Sequence, residues 1–108
     1  MTTHPKSEYT PSKEERNAVI AKWAKFLQEA SVLIDGNQCR AQYRVAFNSS
    51  GDITHIDRII KRDGYPAHWR GIWNCYTCNK QMSPLIAGIM RCATDKFYEE
   101  GVRGLATL

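Results

Sequence analysis

The chain has 108 residues, which fits one domain with a modest core. Its 43% hydrophobic and 24% charged residues exclude an intrinsically disordered chain, and no apolar run approaches the ~20 residues of a membrane-spanning helix. The formal net charge of +4, from 15 lysines and arginines against 11 aspartates and glutamates, suits a nucleic acid or an acidic protein as partner and requires neither.

The first predicted element is a long helix after a flexible lead-in over residues 1–11. Ser12 and Glu15 have the spacing of a capping box, in which the two side chains accept backbone N–H groups at the start of a helix. Apolar residues then recur at steps of three and four, which is typical of a helix packed on a core. These residues are Val19, Trp23, Phe26, Leu27, Ala30, Leu33 and Ile34. The helix is predicted to end at 35–36, because glycine tolerates the left-handed stop position.

Two strands follow and predict an antiparallel hairpin. Apolar and polar residues alternate from Cys39 to Phe47, which indicates a half-buried strand. Turn-forming residues fill 48–52, and residues 53–61 predict the return strand, with a bulge or an early end at Ile59 and Ile60. The basic residues are predicted to share one outer face, which is either a binding surface or an ordinary solvated face. They are Arg40, Arg44, Arg58, Lys61 and Arg62.

A loop rich in aromatic and basic residues is predicted after the hairpin. Tryptophan and arginine are frequent anchors of protein interfaces, and aromatic rings beside arginine also suit base stacking. Alternatively, these rings cover the end of a small core. The candidate partner-binding residues are Tyr65, His68, Trp69, Arg70 and Trp73.

Ser83 and Pro84 predict the start of a second helix, with serine as the N-cap and proline at the first helical position. Its predicted core stripe is Ile86, Ile89, Met90, Ala93 and Phe97. The helix is predicted to end at 99–101, before a short third strand or a loose tail over 102–108. The predicted fold class is therefore α+β, with an N-terminal helix, a β-hairpin and a second helix, both helices on one face of a small sheet, in a single domain over residues 12–108.

The four cysteines are candidates for a cluster that staples this fold: Cys39, Cys75, Cys78 and Cys92. The Cys-x-x-Cys pair is typical of zinc knuckles and also occurs in redox sites and disulfide frameworks. In a helix–hairpin–helix domain all four cysteines can converge. A structural zinc ion, two disulfides and free thiols therefore all stay open, and no other cofactor is predicted.

Part of the chain resembles the C-terminal domains of TolA and TonB. The resemblance rests on residues 25–31 (KFLQEAS), 36–39 (GNQC), the first strand, 50–51 and the second strand, about a third of the chain. It implies a helix–hairpin–helix adaptor that binds other proteins. It also implies a disulfide between a cysteine at the first strand, here Cys39, and one near the second helix. Residues 65–73 depart from that pattern.

No catalytic constellation is predicted. His55 and Asp57 can share a strand face, which is more often a surface pair than a dyad, and nothing in the sequence orients His68 toward Cys75. Among enzymatic functions, thiol redox chemistry at Cys75 and Cys78 is the best supported. We predict a non-catalytic protein-interaction or regulatory adaptor, with a zinc-stapled, basic nucleic-acid-binding protein as the alternative. The absence of a signal-peptide segment favours the cytoplasm, whereas disulfides would favour a periplasmic or extracellular protein.

Overall fold

The computed structural model describes residues 11–36, 41–77 and 82–108. The strands form one antiparallel sheet in the order β1-β2-β3-β4. The elements are α1 (Lys13–Phe26), β1 (Ser31–Asp35), β2 (Gln42–Phe47), β3 (Ile53–Arg62), β4 (Tyr65–Asn74) and α2 (Pro84–Ala106). The α+β class is confirmed, and the sheet has two more strands than the predicted hairpin.

Helix α1 begins where its capping signal predicts. The backbone N–H of Glu15 donates to Ser12 Oγ at 3.1 Å, and the N–H of Ser12 donates to Glu15 Oε1 at 2.9 Å. These two hydrogen bonds satisfy donors that have no partner within the first turn of a helix. The end of the helix was predicted wrongly, because α1 stops at Phe26 rather than at 35–36.

Strand β1 replaces the last turns of the predicted helix. Val32 and Ile34 are buried, and Leu33 between them is 43% exposed, which is the alternation of a strand. The apolar run over 32–34 satisfies the helical spacing and the strand spacing equally well. The β-branched residues fit the pleated surface of a sheet, and pairing with β2 decides the outcome.

The segment predicted as a loop is strand β4. It pairs with β3 across a turn at Gly64, which has a φ of +82°. The register of the pair shifts between Ile56 and Asp57 and again between Ile60 and Arg62, and at each shift β4 contains one extra residue. The bulge or early end predicted in the return strand at Ile59 and Ile60 does not form, because both residues pair regularly and the extra residues lie in β4. The two bulges hide the alternation of β4, because a bulge reverses the face that later residues occupy.

The core lies between one face of the sheet and the two helices. Phe47 of β2 and Phe97 of α2 stack with ring centroids 4.3 Å apart. Helix α2 packs on β1, β2 and α1. The buried residues are Ile20, Ala24, Val32, Ile34, Ala41, Tyr43, Val45, Phe47, Ile56, Ile86, Ile89, Ala93 and Phe97. Neither described helix combines the length and apolar character needed to cross a membrane.

Helix α2 starts as predicted, with the N–H of Ile86 donating to Ser83 Oγ at 3.1 Å. It continues to Ala106, so the strand or loose tail predicted over 102–108 does not form. Gly101 is buried inside the helix, and a Cβ atom there would lie 3.0 Å from Val19 Cγ1. This glycine allows α1 to approach closely and does not end the helix.

The distal part of the β3–β4 hairpin extends beyond this core. Every residue from Asp57 to Gly71 is exposed or half-buried. We call residues 57–71 the hairpin arm.

Candidate functional site

The helices cover one face of the sheet, and the other face carries partly exposed side chains. Residues that pair in register on antiparallel strands share a face. Leu33 pairs with Arg44, which pairs with Asp57, and Ile59 pairs with Trp69. We call this surface the open face, and its members are Leu33, Arg44, Ala46, His55, Asp57, Ile59 and Trp69.

Arg44 is held from two sides on the open face. Asp57 Oδ2 accepts hydrogen bonds from Arg44 Nε at 3.2 Å and from Arg44 Nη2 at 2.8 Å. The guanidinium carbon lies 4.6 Å from the centroid of the Trp69 ring, within the range of a cation–π contact. The side chains of Arg44 and Asp57 are 39% and 21% exposed. Three strands therefore fix one arginine and one tryptophan in a single arrangement that still faces solvent.

A shallow cleft adjoins this arrangement. It is lined by Glu29, Ala30, Ser31, Arg44, Ala46, Phe47, His55 and Asp57. His55 Nδ1 lies 3.1 Å from Thr54 Oγ1, and the His55 ring is 5.9 Å from the ring of Tyr76. Asp57 accepts two hydrogen bonds from Arg44. His55 and Asp57 thus share a face, as the spacing predicts, but each is oriented by another neighbour.

Acyl-transfer chemistry is not assembled in this cleft. Ser31 pairs with Ala46, which pairs with His55, so one strand separates the serine from the histidine. Two strand spacings amount to about 9–10 Å, well beyond hydrogen-bond reach.

No protein-family model, curated protein or solved structure matches the chain. Function is therefore inferred from the geometry of the sheet and its arm. The resemblance to TolA and TonB C-terminal domains stays a prediction.

The two tryptophans predicted to act together lie on opposite faces. Trp73 pairs with the buried Ile56 and packs against the core, whereas Trp69 pairs with Ile59 on the open face. The bulge at Ile72 produces this separation. Trp73 is therefore partly buried against the core, whereas Trp69 lies on the open face.

The other predicted partner-binding residues lie on the arm. Tyr65 is 70% exposed next to the turn. His68 and Arg70 pair with Ile60 and Arg58, so they occupy the face opposite to Trp69. The predicted group is thus divided between two surfaces of one hairpin.

The basic residues predicted on one outer face are also divided. Arg44 lies on the open face with Asp57, and Lys61 follows Ile59 by two residues on that side of β3. Arg58 and Arg62 alternate with them and lie on the other face. Arg40 lies outside the described residues.

Only two of the four cysteines lie in the part of the chain that the structure describes. Cys75 follows β4 and donates its N–H to the carbonyl of Thr54 at 3.0 Å, and Cys92 is in α2. Both are exposed, and no disulfide joins them to each other. The described residues contain no group of three or more metal-ligating side chains. Cys39 and Cys78 lie outside the described residues, so the zinc and disulfide options stay predictions.

Asp57 is the residue of this site that sequence reasoning did not assign. A simple count outward from the turn over residues 48–52 would place Ile56 opposite Arg44. The register shift between Ala46 and Phe47 adds one residue on β3 and brings Asp57 there instead, so the sequence carries no signal for this pair.

Proposed function

We propose that the protein is a non-catalytic adaptor that binds another protein through the open face of its sheet. The observation that carries the proposal is Arg44, held between Asp57 and Trp69 on a face that the helices leave uncovered. Tryptophan and arginine are the side chains most enriched at interface hot spots. Because this pair is already ordered, binding loses less side-chain entropy than it would with mobile residues.

The charge of the open face favours a protein over a nucleic acid at this surface. Asp57 neutralises Arg44, and the neighbouring residues Leu33, Ile59 and Trp69 are apolar or aromatic. Protein interfaces have few unpaired charges at their centre and are enriched in aromatic residues and arginine. A surface that reads phosphates would present unpaired cations instead.

Photo-crosslinking identifies the partner and the surface in one experiment. A photoreactive amino acid replaces Leu33 on the open face or Lys22 on the exposed side of α1. We expect a specific crosslinked protein from the Leu33 position and none from Lys22. Crosslinking to the same protein from both positions, or to nucleic acid from Leu33, would contradict the proposal.

With the purified partner, Trp69→Ala is expected to raise the dissociation constant about 30-fold or more, because truncation of a hot-spot residue loses at least about 2 kcal/mol. Isothermal titration calorimetry measures the change. Phe26→Ala is the control, since Phe26 is an aromatic residue that is 54% exposed on α1, away from the open face. An unchanged dissociation constant for Trp69→Ala would remove this surface from the interface.

We also infer that the cysteines contribute a staple. A zinc-dependent staple predicts a lower melting temperature in chelator, and a disulfide predicts a lower one in reductant, with about 2–4 kcal/mol of stability per disulfide. Cys39→Ser should reproduce the loss, because Cys39 is the only cysteine outside residues 75–92. Thermal unfolding, monitored by circular dichroism, measures the effect of chelator, of reductant and of Cys39→Ser. If none of the three changes the melting temperature, the thiols are free.

A further inference from the structure

The hairpin arm has a second surface, on the face opposite to Trp69. Arg58, Ile60 and Arg62 alternate along β3, and Arg70 and His68 pair with the first two of them. Arg58, Arg62, His68 and Arg70 are all exposed. We call these four residues the cationic face of the arm.

Among residues 11–36, 41–77 and 82–108, no ion pair neutralises the two arginines at the centre of this face. Arg58 and Arg70 are directly opposite each other in the register. The two ion pairs found among the described residues, Arg44–Asp57 and Arg16–Asp95, include neither of them. Opposite residues of an antiparallel pair have Cβ atoms about 4.5–5.5 Å apart, and like charges at that position are destabilising.

A bound anion removes this repulsion. An anionic group between Arg58 and Arg70 would accept charge-assisted hydrogen bonds from both guanidinium groups. With no described carboxylate paired to either arginine, the arm is electrostatically complementary to an anionic partner.

We propose that the cationic face binds a carboxylate-rich segment of the protein partner, an inference that rests on the proposed function. The apolar neighbours favour a protein segment over a nucleic acid. Ile60 lies between the arginines along β3, and Tyr65 at the turn is 70% exposed. A peptide that alternates carboxylates with apolar residues complements both features.

The number of cations points the same way. Three arginines on this face would neutralise about three phosphates, fewer than the roughly 6–10 contacts of a protein whose affinity for DNA falls steeply with salt.

The test uses the full chain and three probes. They are a fluorescent ten-residue peptide alternating glutamate and alanine, the same peptide with glutamine in place of glutamate, and a six-nucleotide single-stranded DNA. Fluorescence anisotropy gives the affinities at several salt concentrations. Amide chemical shifts of the ¹⁵N-labelled protein locate the contact. We expect the glutamate peptide to bind most tightly, to shift the amides of residues 58–62 and 65–70, and to weaken with salt.

The decisive variant is Arg58→Glu with Arg70→Glu, which should weaken binding of the glutamate peptide at least tenfold. It keeps a like-charge pair at this position, so the arm should fold as before, and a thermal melt checks this. The matched control, Lys22→Glu with Arg103→Glu, makes the same change in net charge at two exposed helical cations. It should alter the affinity less than twofold. If the charge-reversed arm does not fold, Arg58→Gln with Arg70→Gln replaces it.

Three results would overturn the inference. If the variants with reversed charges on the arm and on the helices lose equal affinity for the glutamate peptide, the peptide is attracted by net charge alone. Tighter binding of the DNA would make a nucleic acid the occupant. If Trp69→Ala weakens binding of the protein partner but Arg58→Glu with Arg70→Glu does not, the open face remains the binding surface and the cationic face is not part of it.

Discussion

Phe97→Ala is expected to lower the free energy of unfolding by about 3–5 kcal/mol, the range for removing a fully buried phenylalanine ring. The Phe97 side chain is 0% exposed and stacks on Phe47, so it joins α2 to the centre of the sheet. Small domains are stable by only about 5–15 kcal/mol in total. The variant should therefore lose a large part of its stability, which equilibrium unfolding in urea measures.

Phe26→Ala is the matched control, since it deletes the same ring from a residue that is 54% exposed. Phe26 stacks on Trp23 with ring centroids 5.2 Å apart at the end of α1. Its loss should remain below about 1 kcal/mol because little apolar area leaves a buried position. Similar losses for the two variants would mean that α2 does not pack on β2 as described.

Trp23→Ala is expected to lower the free energy of unfolding by about 3 kcal/mol, the lower end of the range for a large core residue. Trp23 is only partly buried and packs against the core and against α2 at Gly101 and Gly104. Its buried Nε1 has no hydrogen-bond partner among the described residues. Removing the ring also removes that unsatisfied donor, which offsets part of the lost packing.

Gly104 provides a second variant that isolates this contact. A Cβ atom at Gly104 would overlap the Trp23 ring, and overpacking of this kind typically loses about 1–3 kcal/mol. In the Trp23→Ala background the space is free. There Gly104→Ala should instead stabilise the protein by about 0.5–1 kcal/mol, because alanine is the better helix former. Urea unfolding of the wild type, the two single variants and the double variant gives a double-mutant cycle. If Gly104→Ala changes the free energy of unfolding in the same direction with and without Trp23, this packing is contradicted.

The starts of both helices could be predicted because their signals are local. Ser12 and Ser83 each cap a helix through a hydrogen bond to a residue three positions on. The ends depended on distant parts of the chain. Residues 31–35 form a strand because β2 is available to pair with them, and Gly101 lies inside α2 because α1 approaches it there. The local sequence of residues 31–35 does not show that β2 will pair with them, and the sequence around Gly101 does not show that α1 will pack there.

The sequence predicted which residue types form the candidate site but not how they are arranged in the sheet. Trp69 and Arg44 stood out as residue types that bind partners, but their contact requires β4 to lie in the sheet. The segment containing Trp69 does not alternate, because its two bulges reset the faces of β4. The bulge at Ile72 places Trp69 and Trp73 on opposite faces, and an irregularity of one residue has no signature in the pattern of apolar residues.

The bulges of β4 also bear on the solubility of the protein. β4 is an edge strand, and an exposed, regular edge is a template on which other copies of a chain aggregate. Regular pairing runs only over residues 68–71 between the two bulges, and Pro66 lacks a backbone N–H for any incoming strand. The irregularity that made β4 hard to recognise thus leaves little regular backbone on this edge of the sheet for a second chain to pair with.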